Sequence, residues 1–350
     1  MEMEFVFETG RERETYQVEV RYSLLWEAAL GITAITNTPL IKTLEQPESE
    51  WKRIKDSLQE EMLDHLDYAE KNNTWKALLQ LLHEEDFEDL SSFAASINSL
   101  SDEAFKCICL PFLGSRLQKT RKEAAGGDEA SLLELQKAAS WNPFFPAYIE
   151  LVCKEDPGKL KKHLLHMLTG WYEAAVKPDE ERINRILKRD VESKSKMAAK
   201  MKPEPFVEWA TEGRIYPPEP SIHHVLLIPH TIYRPWNIEA DFEDTKVFFY
   251  PASNESIYPN DPFIPPASLV QKHKALGDEI RLKIIKMLSV KGRTLQEVTD
   301  ELGMGKTTIH HHLKTLKGAR LVEVKESKYF LRQVSLQALS EELNQFLDRK

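Results

Sequence analysis

Apolar residues recur with a helical period through most of this chain. They alternate or run together only near its start, past its middle and close to its end. Phe5, Val6 and Phe7 read as a strand, and Tyr16, Val18, Val20 and Tyr22 alternate like another. Gly10 and its charged neighbours join them, so residues 3–22 predict a hairpin. Residues 24–35 are apolar enough for a buried helix, and Pro39 and Pro47 bracket a loop. From about 48 to 201 the pattern is helical nearly throughout. Trp51, Ile54, Leu58, Met62 and Leu66 share one stripe, and further helices fit residues 74–83, 86–98, 101–112, 129–139, 146–154, 158–176 and 178–200. Gly126-Gly127, Asn142-Pro143 and Asp156-Pro157-Gly158 punctuate them. No regular repeat appears, which argues against a solenoid.

After a short helical stretch at 206–210 the pattern changes. Residues 225–228 and 246–250 read as buried strands, and ten prolines between 217 and 266 keep this region from being helical. These strands are expected to pair with the N-terminal hairpin in a small antiparallel sheet, with the helical segment, about 48–212, as a long insertion. The expected fold class is α+β, mostly α. Residues 1–258 would form a body for dimerisation or effector binding, 259–266 a stiff proline-rich linker, and 267–350 a separate module.

That last module carries the most specific pattern. Ile280, Ile284, Ile285 and Leu288 recur at helical spacing behind Asp278, which can cap them. Leu295, Val298 and Leu302 form a second apolar face behind Thr294, and Gly303-Met304-Gly305 breaks the chain. Ile309, Leu313 and Leu316 define a third helix, stopped by Gly318. Its other side holds Lys306, Thr307, Thr308, His310, His311 and Lys314. Leu321, Val322 and Val324 suggest a strand, Glu326-Ser327 a turn, and residues 329–334 a return strand. A helix, a tight turn and a second helix bearing small polar and basic groups present a helix to the DNA major groove. A basic hairpin with Arg320, Lys325 and Lys328 would reach neighbouring phosphates. The plainer alternative is a small helical core with one solvated polar helix.

Leu276, Gly277, Asp278, Arg281 and Ile284, followed by Lys306, Thr307, Thr308, Ile309, His311, His312, Leu313, Lys314 and Leu316, resemble the winged helix-turn-helix of ArsR-type bacterial repressors. The resemblance covers roughly residues 268–350. It implies double-stranded DNA as partner, a homodimer formed through terminal helices, and histidines in the recognition helix. His310 and His311 are accordingly assigned to DNA, and His312, nearer the buried side, to structure.

Charge supports this division. The chain has 350 residues and net charge −9, which by itself argues against nucleic acid. Residues 267–350, however, hold 16 Lys and Arg against 10 Asp and Glu, a net +6, and the rest carries −15. The basic part can release counterions at phosphates, while the acidic part weakens indiscriminate binding. The lysine-rich stretch at 185–202 reads as a solvated face. No apolar run approaches a membrane span, and the acidic, strand-like N-terminus does not read as a secretory signal. Three cysteines cannot make a disulfide framework, so a reducing cytoplasm is expected.

Metal sensors of the resembled family place thiolates near the helix before the recognition helix, or His and carboxylates on the last helix. Here residues 294–302 lack Cys and His, and residues 335–347 lack His, so no metal and no metal response is expected. Consecutive His310, His311 and His312 point about 100° apart on a helix and cannot converge on one ion. Cys107 and Cys109 read as core, and His163 with His166 is a weak metal pair. No phosphate loop, zincin motif or nucleophile elbow is present, so neither catalysis nor a cofactor is expected. Seven tryptophans and fifteen phenylalanines fit core and interface, or the lining of a pocket for a small apolar effector. The reading is a DNA-binding transcription regulator, a repressor, with a large sensing or dimerising body. Its rival is a metabolite-binding protein or enzyme whose winged helix engages proteins. The polar, basic surface of 306–314 favours the first.

Overall fold

The computed structural model describes residues 15–259, 261–325 and 327–348, so the strand expected at 5–7 and the turn at Gly10 lie outside the described residues. The element order begins with β1 (Gln17–Val20), α1 (Leu24–Ile35), α2 (Thr38–Ile41), α3 (Glu48–Asp56), α4 (Glu60–Asn72), α5 (Trp75–Leu81), α6 (Leu90–Ser99) and α7 (Asp102–Cys109). It continues with α8 (Gln118–Ala125), α9 (Glu129–Ala138), α10 (Phe145–Lys154), α11 (Pro157–Trp171), α12 (Glu180–Ala198) and α13 (Pro203–Ala210). Strands β2 (His224–His230), β3 (Ile238–Phe242) and β4 (Thr245–Pro251) follow. The C-terminal part holds α14 (Asn254–Ile257), α15 (Ala267–Leu276), α16 (Glu279–Leu288), β5 (Arg293–Thr294), α17 (Leu295–Leu302), α18 (Lys306–Gly318), β6 (Val322–Lys325), β7 (Lys328–Leu331) and α19 (Gln333–Leu347).

Contacts divide the chain into two units, one of residues 1–207 and 215–251, the other of 208–214 and 252–350. The first is organised by a four-stranded sheet in the order β1-β2-β4-β3. β1 runs parallel to β2, and β2 parallel to β4; only β3 is antiparallel, to β4. The expected antiparallel sheet is thus a mixed one. The pairing of the N-terminal strand with 224–227 does form, but the helices inserted between the two return the chain at the same end, as a parallel crossover requires. The unbroken apolar runs of β2 and β4 follow from cover on both faces. Leu226, Ile228, Val247 and Phe249 join the helical core. On the opposite face, Tyr250 donates a 2.8 Å hydrogen bond to the buried Asp190 of α12.

α1 is the centre of that core, with eleven of its twelve residues buried and Ser23 accepting from Leu25 N–H at its start. The stripe from Trp51 to Leu66 is divided between α3 and α4, because the first ends at Ser57, whose hydroxyl donates to the Ile54 carbonyl. The helix expected from 86 starts only at Leu90, where Asp89 and Ser92 form a reciprocal cap. α11 passes into a single wide turn at Tyr172–Val176 just before Pro178, which lacks the amide hydrogen to continue an ordinary helix. α8 has no counterpart in the predicted set; its sequence is mostly polar and only Thr120, Ala124 and Ala125 are buried. Cys109 is fully buried, and Cys107 and Cys153 half-buried; all three are free thiols. No helix among the described residues is long and apolar enough to cross a membrane.

The second unit has its own core of Ile284, Ile285, Leu288, Val298, Ile309, Leu313, Leu316, Leu321 and Val322. Truncating a fully buried leucine such as Leu313 to alanine would cost about 2–5 kcal/mol. The proline-rich run leading into it folds back, since Asn254 Nδ2 donates to the Pro265 carbonyl at 2.9 Å. α15 extends the module upstream of the pattern read from the sequence.

Candidate nucleic-acid interface

The site is built by three short helices held by local chemistry. Asp278 Oδ1 accepts from Arg281 N–H at 2.9 Å, which starts α16 and holds the Asp278 carboxyl below its usual range. Thr294 and Glu297 cap α17 reciprocally. Thr294 Oγ1 accepts from Glu297 N–H at 3.2 Å, and Glu297 Oε2 from Thr294 N–H at 2.7 Å. α17 ends at Gly303 in the left-handed region, φ +63°, whose N–H donates to the Thr299 carbonyl at 3.0 Å. A side chain there would be strained, so the tight turn needs glycine.

α18 buries Ile309, Leu313 and Leu316 and exposes Lys306, Thr307, Thr308, His310, His311 and Lys314. Helical geometry sets Thr307, His311 and Lys314 furthest from the buried stripe. Thr315 shares that side, with its hydroxyl donating to the His311 carbonyl at 3.0 Å; the sequence reading passed over it. The N-cap of α18 is Gly305, which has no side chain to accept the first amide hydrogens. Those donors and the positive end of the helix dipole remain available to a phosphate. His312 is turned inward, its Nδ1 3.7 Å from Asp278 Oδ1. α18 ends one residue later than expected, since Gly318 closes its last turn.

The wing is a three-stranded sheet, β5-β7-β6, with β5 unanticipated from the sequence. Lys325 and Lys328 face each other across its tip and are exposed. Lys325 pairs with Glu323 at 2.7 Å in an exposed bridge that a phosphate can displace at small cost. The return strand stops at Leu331, and α19 begins at Gln333.

Arg320 is placed differently from the two exposed wing lysines. It is half-buried, in the left-handed region at φ +58°, and packed on Gly213. Burial lowers its pKa, and the carboxylates of Glu212 and Glu208 oppose that shift. Arg332, on the same side, is ion-paired with Glu208. Arg320 therefore packs residues 208–214 against the base of the wing. Sequence reasoning assigned it by charge and position, and nothing local distinguishes it from Lys325.

Residues 278–324 match the family model described as bacterial regulatory protein, arsR family. No curated protein and no solved structure matches the chain. The match spans α16 through most of β6. It identifies this part of the second unit as an ArsR-family helix-turn-helix, a DNA-binding domain of transcription regulators.

Proposed function

We propose that the protein is a sequence-specific repressor that binds double-stranded DNA as a homodimer and carries no enzymatic activity. The observation that carries this reading is the exposed arc of α18, where Thr307, His311, Lys314 and an uncapped helix start lie on one side. α18 enters the major groove, and Lys325 and Lys328 meet the flanking backbone. One such helix reads only a few base pairs, so two half-sites about one helical turn apart are needed for specificity. α19 supports dimerisation. It carries Leu336, Leu339, Leu343, Phe346 and Leu347, yet none of its residues is buried, and Leu347 is 66% exposed.

The signal enters through the first unit and not through metal ligands in the DNA-binding unit, which has no cysteine. A cavity of about 390 Å³ opens where β1 runs into α1, lined by Tyr22, Trp26, Leu82 and Phe87 with Glu85 and Asp86 at its edge. Arg21 also lines it and pairs with Asp86, so its apolar walls suit a small apolar effector. Such a ligand controls DNA affinity only as far as it binds the free and DNA-bound arrangements unequally.

Selection of operators from a random duplex library, followed by fluorescence anisotropy on the winner, tests the reading. Enrichment of a two-fold symmetric site bound by two chains is the expected result. Failure to enrich any sequence, or a monomer by light scattering with and without DNA, would overturn it.

A further inference from the structure

Two helices of the first unit bring together side chains that neither the DNA-binding reading nor the family match uses. Glu61 and His65 stand one turn apart on α4, and His166 comes from α11, which packs against it. One potential ligand atom from each lies within 4.8 Å of the other two. His166 Nδ1 and Glu61 Oε1 are 3.5 Å apart. Two ligands about 2.0–2.1 Å from a tetrahedral zinc lie about 3.3 Å apart, so this pair already has nearly the required separation.

The remaining geometry orients His65. Its Nδ1 lies 2.8 Å from Nδ1 of His163, and His163 Nε2 lies 2.8 Å from Thr74 Oγ1. Only one arrangement of hydrogens leaves His65 with a lone pair for an ion. His65 donates from Nδ1 to His163, His163 donates from Nε2 to Thr74, and His65 Nε2 is left free. A ligating histidine held through its other nitrogen by a second group is the usual support of a metal site. His163 is therefore a positioning residue here, not a fourth ligand.

We propose that Glu61, His65 and His166 bind one divalent first-row ion, with zinc, cobalt(II) and nickel(II) as the fitting class. Two imidazoles and a carboxylate suit borderline ions, and the lack of thiolate disfavours soft ones. Three protein ligands leave a coordination position for water. The ion braces α4 against α11 in the first unit. It is separate from the ligand positions of the winged helix, and the proposal does not depend on the DNA-binding reading.

The test uses the full chain, stripped with a chelator and titrated with cobalt(II). Expected are one bound ion per chain, visible d–d absorption bands typical of four or five ligands, bleaching of those bands by zinc, and a higher melting temperature with zinc. Glu61→Gln and His166→Ala change exposed residues on two different helices, so their circular dichroism should match the parent. Each should weaken binding at least tenfold, and His163→Gln should weaken it while leaving one ion bound. Absence of bands and of zinc retention in equilibrium dialysis would overturn the proposal. So would binding unchanged in both ligand variants, because the ion would then lie elsewhere.

Discussion

Arg320 lies across the bare Cα of Gly213, so close that a methyl group on Gly213 would sit 2.9 Å from Arg320 Cγ. Gly213 also holds φ +117°, a conformation that side chains rarely adopt. Gly213→Ala should therefore destabilise the second unit by about 1–3 kcal/mol, through backbone strain and displacement of Arg320. Urea unfolding followed by a probe in the wing would show it. The same relationship predicts different salt behaviour for the wing cations. Lys325→Ala or Lys328→Ala should weaken binding to all sequences alike and flatten the plot of log affinity against log salt by about one unit each. Arg320→Ala should leave that slope unchanged and lower stability instead. Equal slope changes for the three would show that Arg320 does reach phosphate.

Lys314 and His311 occupy the outermost part of α18. A residue there that reads a base edge contributes about 1–3 kcal/mol of discrimination. Lys314→Ala combined with His311→Ala should lose affinity for a selected operator by that order, with little change on unrelated duplex. Operator binding that persists unaltered in the double variant, measured by anisotropy at fixed salt, would remove α18 from recognition.

His230 is fully buried; its Nε2–H donates to the Trp236 carbonyl at 3.0 Å, and its Nδ1 has no partner among the described residues. Burial depresses its pKa to about 3. The folded state holds it neutral, whereas the unfolded chain takes up a proton near pH 6.5. Its contribution is thus complete above about pH 6.5 and is lost as pH falls toward 3, at up to about 1.4 kcal/mol per pH unit. His230→Gln keeps a donor for Trp236 but does not titrate in this range. Between pH 7.5 and 5 its stability should fall less steeply than that of the parent. Parallel curves from urea midpoints would contradict the assignment.

The cysteines, Cys107, Cys109 and Cys153, all belong to the first unit, and burial pushes the Cys153 thiol up to about 11. Thiophilic ions therefore find no thiolate within the second unit. Zinc, cadmium and arsenite should leave operator affinity unchanged, including zinc bound between α4 and α11. Release from DNA by any of the three, in a titration with competing chelator as control, would make the first unit a metal sensor.

The helices α16, α17 and α18 of the second unit are legible in the sequence because each is fixed by near neighbours. The Asp278 cap, the Thr294–Glu297 pair, the left-handed Gly303 and the 3.6-residue stripe of Ile309, Leu313 and Leu316 all act within one or two turns. The exposed face of α18 follows from that stripe alone. Likewise α1 is legible, because a helix with apolar residues on nearly every side has to be buried. Only the tertiary structure decided the parallel pairing of Gln17–Val20 with β2, since strand direction depends on how some two hundred intervening residues return. It also decided that Arg320 turns inward to residues 208–214, which lie more than a hundred positions away, and that His65 meets His163 and His166 across two packed helices. Capping and periodicity are set by hydrogen bonds and side chains adjacent along the chain. Convergence of distant side chains is set by which apolar faces find each other, and a single sequence does not carry that pairing in any local pattern.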